Sequence, residues 1–320
     1  MPTSHLRART APLSSPSVQK ISAPRRLFTH RQLQRIVVGV GLLAMTGLFG
    51  CAAVNLQQGG RLYDRWYADK GFRPDNAKTP KVDGHGGPRG DGTLLDERGQ
   101  PMSNKTGHNF RFKSLWGWDL RGAAGIYGPA YQNKSTVRPE NLLTDPRTPA
   151  QLATWFREGG QGLPAWGSVM TEAEIQLVVA FIDAMRTGRL PRASDIWKLS
   201  KDAPKNYTLL PGGDPVRGAT LVRQRCTGCH GDKGMKLAVD KHYSLGAFAR
   251  SKGYEAWFKM LSGQPGTPMH GQLPEGLNRK QSASFVLDIL AGLCDRTQFP
   301  PLVNGKDVAD GDVRCGAYLK

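Results

Sequence analysis

No cysteine lies between Cys51 and Cys226, so nothing along more than half of the chain can be held through a thiol. Acidic residues are missing from the first 35 positions, which carry seven basic ones: Arg7, Arg9, Lys20, Arg25, Arg26, Arg31 and Arg35. Charge of either sign is missing from residues 36–50. The rest of the chain holds 37 basic and 26 acidic residues, so a net of +11 remains of the total +18. There is no basic helix and no Lys/Arg cluster interleaved with aromatics, which excludes nucleic acid as a partner. The excess charge instead favours an acidic protein surface or anionic lipid. His85 and His108 lack metal-ligand spacing and read as surface histidines. Glycine (39) and proline (22) are plentiful and hydrophobic residues make up only 39%. That composition suits small, loop-rich domains organised around a large apolar group. At 320 residues, two domains are expected.

A basic segment followed by fifteen uncharged residues reads as a secretory signal. Extended through residue 54, the apolar run approaches the roughly 20 residues that span a bilayer. Leu48-Phe49-Gly50-Cys51 resembles a bacterial lipoprotein box in which Cys51 carries the lipid, although Phe49 is bulkier than the small residue usual there. Cleavage near Ala52 or Ala53 and an uncleaved anchor over residues 36–54 stay open. Arg25-Arg26-Leu27-Phe28 looks like a twin-arginine signal but lies far from the apolar run. Every alternative places the protein outside the cytoplasm, on the periplasmic side of a bacterial membrane. In that oxidising compartment Cys294 and Cys315, 21 positions apart, fit a disulfide; two free thiols are the alternative.

The remaining two cysteines form Cys226-Thr227-Gly228-Cys229-His230. CxxCH is the attachment signature of a c-type haem: each thiol adds to one porphyrin vinyl group, and the imidazole becomes the proximal iron ligand. The competing reading is a zinc site, CxxC completed by Cys294 and Cys315, which would leave His230 unused. Asp214-Pro215-Val216-Arg217-Gly218 opens a helix that delivers CTGCH, and a glycine-rich turn over residues 231–234 follows. From there the chain resembles class I cytochromes c. They share this helix, the CxxCH, the turn, a methionine ligand on a late loop and a closing helix. The resemblance implies Met269 as the sixth ligand, on the loop Gln264-Pro265-Gly266-Thr267-Pro268-Met269 after a helix with Tyr254, Trp257 and Phe258. The closing helix is expected over 279–293, with Phe285, Val286, Ile289 and Leu290 on its apolar side. His270, His242 or an open iron are the alternatives, while Met235 follows CTGCH too closely to reach the other face of the ring.

Part of this pattern occurs twice. Ala153-Thr154-Trp155-Phe156-Arg157 parallels Glu255-Ala256-Trp257-Phe258-Lys259. Each is followed by a glycine-rich loop and a helix, the first beginning at the capping box Thr171-Glu-Ala-Glu174. In the first copy Leu163 precedes Pro164-Ala165-Trp166, where cytochromes c commonly carry Met. Arg111-Phe112-Lys113-Ser114-Leu115-Trp116-Gly117-Trp118-Asp119 looks like a cytochrome segment with Phe112, Leu115 and Trp116 in place of two Cys and the His. The resemblance therefore implies a mainly α chain of two cytochrome c-like helical domains in tandem with long loops. A signal or anchor occupies 1–50, a haem-less domain 51–190, a linker 191–213 and a domain with one covalent haem c 214–320. Ile196, Trp197, Leu209 and Leu210 are expected to pin the polar linker to a surface.

The function implied is an exported monohaem electron carrier, not an enzyme, in a periplasmic respiratory chain. Its redox partners would carry acidic docking surfaces, and Cys51 or residues 36–54 would bring it to the membrane. The alternative is a haem-bearing subunit of a larger oxidoreductase complex. A peroxidase or gas sensor would need a vacant or labile iron site.

Overall fold

A computed structural model describes residues 56–70, 94–100, 102, 111–127, 137–200 and 207–320. Cys51, the apolar run, Arg25-Arg26, His85 and His108 lie outside the described residues. The chain divides into Met1–Leu48 and Phe49–Lys320, and every described residue belongs to the second unit. No described helix is long and apolar enough to cross a membrane.

That unit is mainly helical. Helix α1 is described over residues 56–65. It is followed by α2 (Phe112–Trp116), α3 (Pro149–Glu158) and α4 (Glu172–Arg186). Strands β1 (Trp197–Leu199) and β2 (Tyr207–Leu209) lead to α5 (Pro215–Arg225), α6 (Thr227–His230), α7 (Leu245–Ser251), α8 (Gly253–Ser262) and α9 (Arg279–Leu293). Local chemistry sets the helix starts. The Asp214 carboxylate accepts the N–H groups of Val216 and Arg217 at 3.0 Å, and Pro215 occupies the first turn, where its missing N–H costs nothing. Reciprocal capping boxes start α3 (Thr148 with Gln151), α4 (Thr171 with Glu174) and α9 (Asn278 with Gln281).

The second half is organised by the crossing of α5 and α9. A Cβ on Gly218 would sit 1.7 Å from the Asp288 carbonyl oxygen, and one on Gly292 would sit 2.5 Å from the Ala219 nitrogen. Only glycine at both points lets the two backbones touch. The same device recurs in the first half, where a Cβ on Gly59 of α1 would lie 2.1 Å from the Leu177 carbonyl oxygen of α4.

Other parallels accompany it. The single turns α2 and α6 each stop at a glycine of nearly identical backbone: Gly117 at φ 78°, ψ 171° and Gly231 at φ 79°, ψ 163°. Both glycines donate their N–H to the carbonyl four residues back, Lys113 and Thr227. Helices α4 and α9 are both 15 residues long. Phe156 of α3 and Phe258 of α8, the paired phenylalanines of the sequence repeat, are both fully buried.

Residues 191–213, read as a polar connector, carry the one sheet among the described residues. Strands β1 and β2 pair antiparallel in the register Trp197↔Leu209 and Leu199↔Tyr207. Ile196, Trp197 and Leu209 are buried as expected, while Leu210 is only half-buried. Trp197 stacks on Tyr254 at 5.5 Å, and the Tyr207 hydroxyl accepts the Gly253 N–H at 2.7 Å. These contacts fasten the sheet to the start of α8.

Candidate haem-attachment site

Helix α5 ends by handing its last turn to the motif. The Cys226 N–H still donates to Val222 O (2.8 Å), and the Thr227 hydroxyl donates back to Arg223 O at 2.6 Å. The His230 N–H then donates to Cys226 O at 2.9 Å, closing a turn of helix. Residues at i, i+3 and i+4 share one face of such a turn, so Cys226, Cys229 and His230 emerge on the same side. Gly231 leaves the helix with a positive φ and turns the chain away immediately after the imidazole.

The three side chains meet different environments. Cys226 is half-buried against the core, and burial pushes its thiol pKa up to about 11 against an opposing pull from Arg225. Cys229 is exposed, and a Cβ on neighbouring Gly228 would meet nothing within 4 Å. His230 is half-buried, and burial lowers its pKa. That favours the neutral imidazole, the form that ligates metal. Its Nδ1 is buried with no hydrogen-bond partner among the described residues. The indole N–H of fully buried Trp257 is likewise unpartnered there.

Met269 is half-buried on the loop between α8 and α9. A tight turn brings that loop back on itself: the Gln264 N–H donates to Met269 O at 3.1 Å, and Gly263 has φ 80° beside it. Arg225, the residue before Cys226, reaches this segment. Its Nη1 lies 3.4 Å from Gln272 O, and its guanidinium sits 5.3 Å over the Phe285 ring of α9. The end of α5, the Met269 loop and α9 therefore meet at Arg225, a role that nothing in the sequence had signalled. His242 is carried elsewhere: its carbonyl accepts the Lys306 N–H at 2.8 Å, docking it on the C-terminal segment, and its side chain is exposed. His270 is exposed and Met235 half-buried.

Cys294 and Cys315 are bonded to each other, with Cα atoms 6.0 Å apart, while Cys226 and Cys229 carry free thiols. The four-cysteine zinc site therefore cannot form. Two free thiols, an imidazole with an unpaired buried nitrogen and an adjoining loop that carries a methionine are the donor set that an iron porphyrin takes.

In the first half the corresponding turn is closed. Phe112, Trp116 and Leu163 are fully buried and Leu115 nearly so. Phe112 stacks on Trp166 with centroids 4.2 Å apart and meets Phe156 edge-on at 5.0 Å. Trp116 contacts Trp155 and Phe156, each at 5.6 Å. Comparison of the chain with protein-family models, curated proteins and solved structures returns no match.

Proposed function

We propose that the protein is an exported c-type cytochrome with a single haem, which carries electrons on the periplasmic side of a bacterial membrane. One observation carries the reading: Cys226, Cys229 and His230 share a face of one turn at the end of α5, thiols free, beside the loop that holds Met269. Cys226 and Cys229 would hold the porphyrin through thioether links, and His230 and Met269 would ligate its iron. Bound there, haem supplies one-electron transfer, and Met/His ligation raises its potential relative to His/His. With His230 and Met269 both committed as ligands, no position would be left for a substrate, which favours a carrier over a peroxidase or sensor.

The chain's own residues set the rest. Arg223, Arg225, Lys233 and Lys236, all within seven positions of the exposed Cys229, are themselves exposed, with Asp232 the acidic residue in that stretch. Such a face would orient an acidic partner by long-range attraction. Cys51 or residues 36–54 would hold the protein at the membrane. The first half reads as a second cytochrome c-like domain whose haem positions are filled by Phe112, Leu115, Trp116 and Leu163. The matched turns ending at Gly117 and Gly231, the paired capping boxes and the glycine crossings support it. An unfilled haem cavity would be a large destabilising void.

Haem stoichiometry and visible spectra test both statements. We expect one haem per chain, a sulfur-to-iron charge-transfer band in the ferric protein, and loss of that band with a lowered potential in Met269→Ala. A chain without covalent haem overturns the reading. Two haems overturn the closed first site, and an unchanged band in the variant excludes Met269.

A further inference from the structure

We propose that the first half of the chain positions the Met269 loop, and that Arg61 and Asp69 are the residues through which it does so. This rests on the haem reading above. Arg61 projects from α1, and its Nη1 donates to Met269 O at 2.9 Å while its Nη2 donates to Thr267 O at 3.1 Å. Asp69, in the 3-10 turn Ala68–Lys70, receives the same guanidinium through Nε (3.1 Å) and Nη2 (2.9 Å). The Asp69 carboxylate also accepts the Gly266 N–H at 2.6 Å. Gln57 adds a fourth attachment, its side-chain oxygen accepting the Gly271 N–H at 3.1 Å.

These bonds join positions 197 to 214 residues apart, and all fall within the six-residue stretch around Met269. Left to itself that stretch holds the methionine backbone through two bonds, Gln264 N–H to Met269 O at 3.1 Å and Met269 N–H to Thr267 Oγ1 at 3.2 Å. Backbone contact reinforces the clamp. A Cβ on Gly266, at φ 73°, would lie 3.3 Å from Ala68 O, and one on Gly60 of α1 would lie 2.6 Å from the Ser262 Cβ at the end of α8. The Arg61 side chain is 12% exposed and that of Asp69 29%, so the pair is only partly shielded from water and draws its rigidity from the number of bonds it makes. A forked guanidinium fixed by a carboxylate is a rigid donor of this kind.

A neutral thioether competes with other iron ligands, so its retention depends on how firmly its loop is held in place. Groups that orient a metal ligand typically change affinity by about 10–100-fold when removed. A first half without its own redox centre thereby acquires a role in the second, where it holds the ligand loop in position.

Imidazole titration of the ferric holoprotein, followed by the sulfur-to-iron band, tests this. Imidazole must displace Met269, so its apparent affinity reports how tightly the loop holds the ligand. Arg61→Gln and Asp69→Asn should each bind imidazole about 10–100-fold more tightly than wild type. Arg61→Lys should recover part of the difference, and Arg157→Gln, in an exposed ion pair away from the loop, should match wild type. Thermal melts followed by far-ultraviolet circular dichroism separate ligand release from unfolding: the band should vanish below the melt in the two clamp variants. Wild-type imidazole affinity in both clamp variants overturns the proposal while leaving the haem reading intact. If Met269→Ala binds imidazole no more tightly than wild type, Met269 is not the ligand, and its assignment and the clamp proposal fall together, whereas only a chain without covalent haem overturns the haem reading itself.

Discussion

Cys226 and Cys229 stand three positions apart, yet Cys229 is exposed and Cys226 half-buried. Burial holds the Cys226 thiol up at about 11, which leaves little thiolate at neutral pH, whereas Cys229 projects beside a glycine with open space around it. Since the thiolate is the nucleophile, Cys229 should alkylate several-fold faster than Cys226 in chain prepared without haem. Peptide mapping after brief iodoacetamide treatment reads this directly, and equal labelling would mean that the turn is not formed without haem. The CxxCH chemistry was legible as a string of five residues. The difference between its two thiols was not, because it depends on how far the core reaches along the face that both share. At the same scale, Phe112 and Trp116 were legible only as residues standing where a Cys and the His would be. The stacking on Trp166 that locks them in place comes from a loop 50 or more residues later.

Among the elements, the crossing of α5 and α9 bears on the site because α5 carries CTGCH at its end. With the Asp288 carbonyl only 1.7 Å from where a Cβ would stand, Gly218→Ala must push the two helices apart. Overpacking of this sort costs about 1–3 kcal/mol or more, so the variant should show a lower urea midpoint. It should also show weakened Met269 ligation if haem is present, because Arg225 moves with α5. An unchanged midpoint would mean that the crossing relaxes freely. The boundaries of α5 and α9 were readable from Asp214, Pro215 and the apolar stripe of residues 285–290. Their contact was not, since a glycine inside a helix reads as a weakness until the partner backbone is seen against it. The small sheet of residues 197–209 escaped sequence reading for a related reason. Its strands are three residues each and owe their order to Tyr254 and Gly253 rather than to their own pattern.

Across the whole unit, the two halves share a buried charge cluster. Asp64 of α1 is fully buried and pairs with Lys113 at 2.7 Å and with Lys259 of α8. Lys113 also lies 3.8 Å from the Trp118 ring centroid. Burial alone would raise the Asp64 pKa, but the two ammonium groups outweigh it and hold the carboxyl well below its ordinary range. Asp64→Ala would strand two buried cations, and breaking a buried pair costs about 3–5 kcal/mol. A chemical denaturation curve should register that loss, and a loss under about 1 kcal/mol would show that water enters the cluster. The sign of the pH effect follows from the lowered folded pKa. Stability from Asp64 is present above the ordinary carboxylate pKa and is lost as pH falls toward the lower folded value. Asp64→Asn should therefore flatten the acid limb of a stability–pH profile.

Sequence alone determined what depends on neighbours in the chain: the CTGCH motif, the helix starts at capping residues, the mainly α character and the echo of one half in the other. Each is set by spacing or by a bond within a few residues. Tertiary structure decided what depends on approach between distant segments. It brought Arg225 to the Met269 loop and placed Arg61 beside Met269, 208 positions away, whereas the Cys294–Cys315 disulfide is the pair that the sequence had already offered. It also joined the halves through a carboxylate whose two partners are separated by 146 positions. Such contacts leave no periodicity in the sequence, because their partners are chosen by packing and charge compensation after the chain has collapsed.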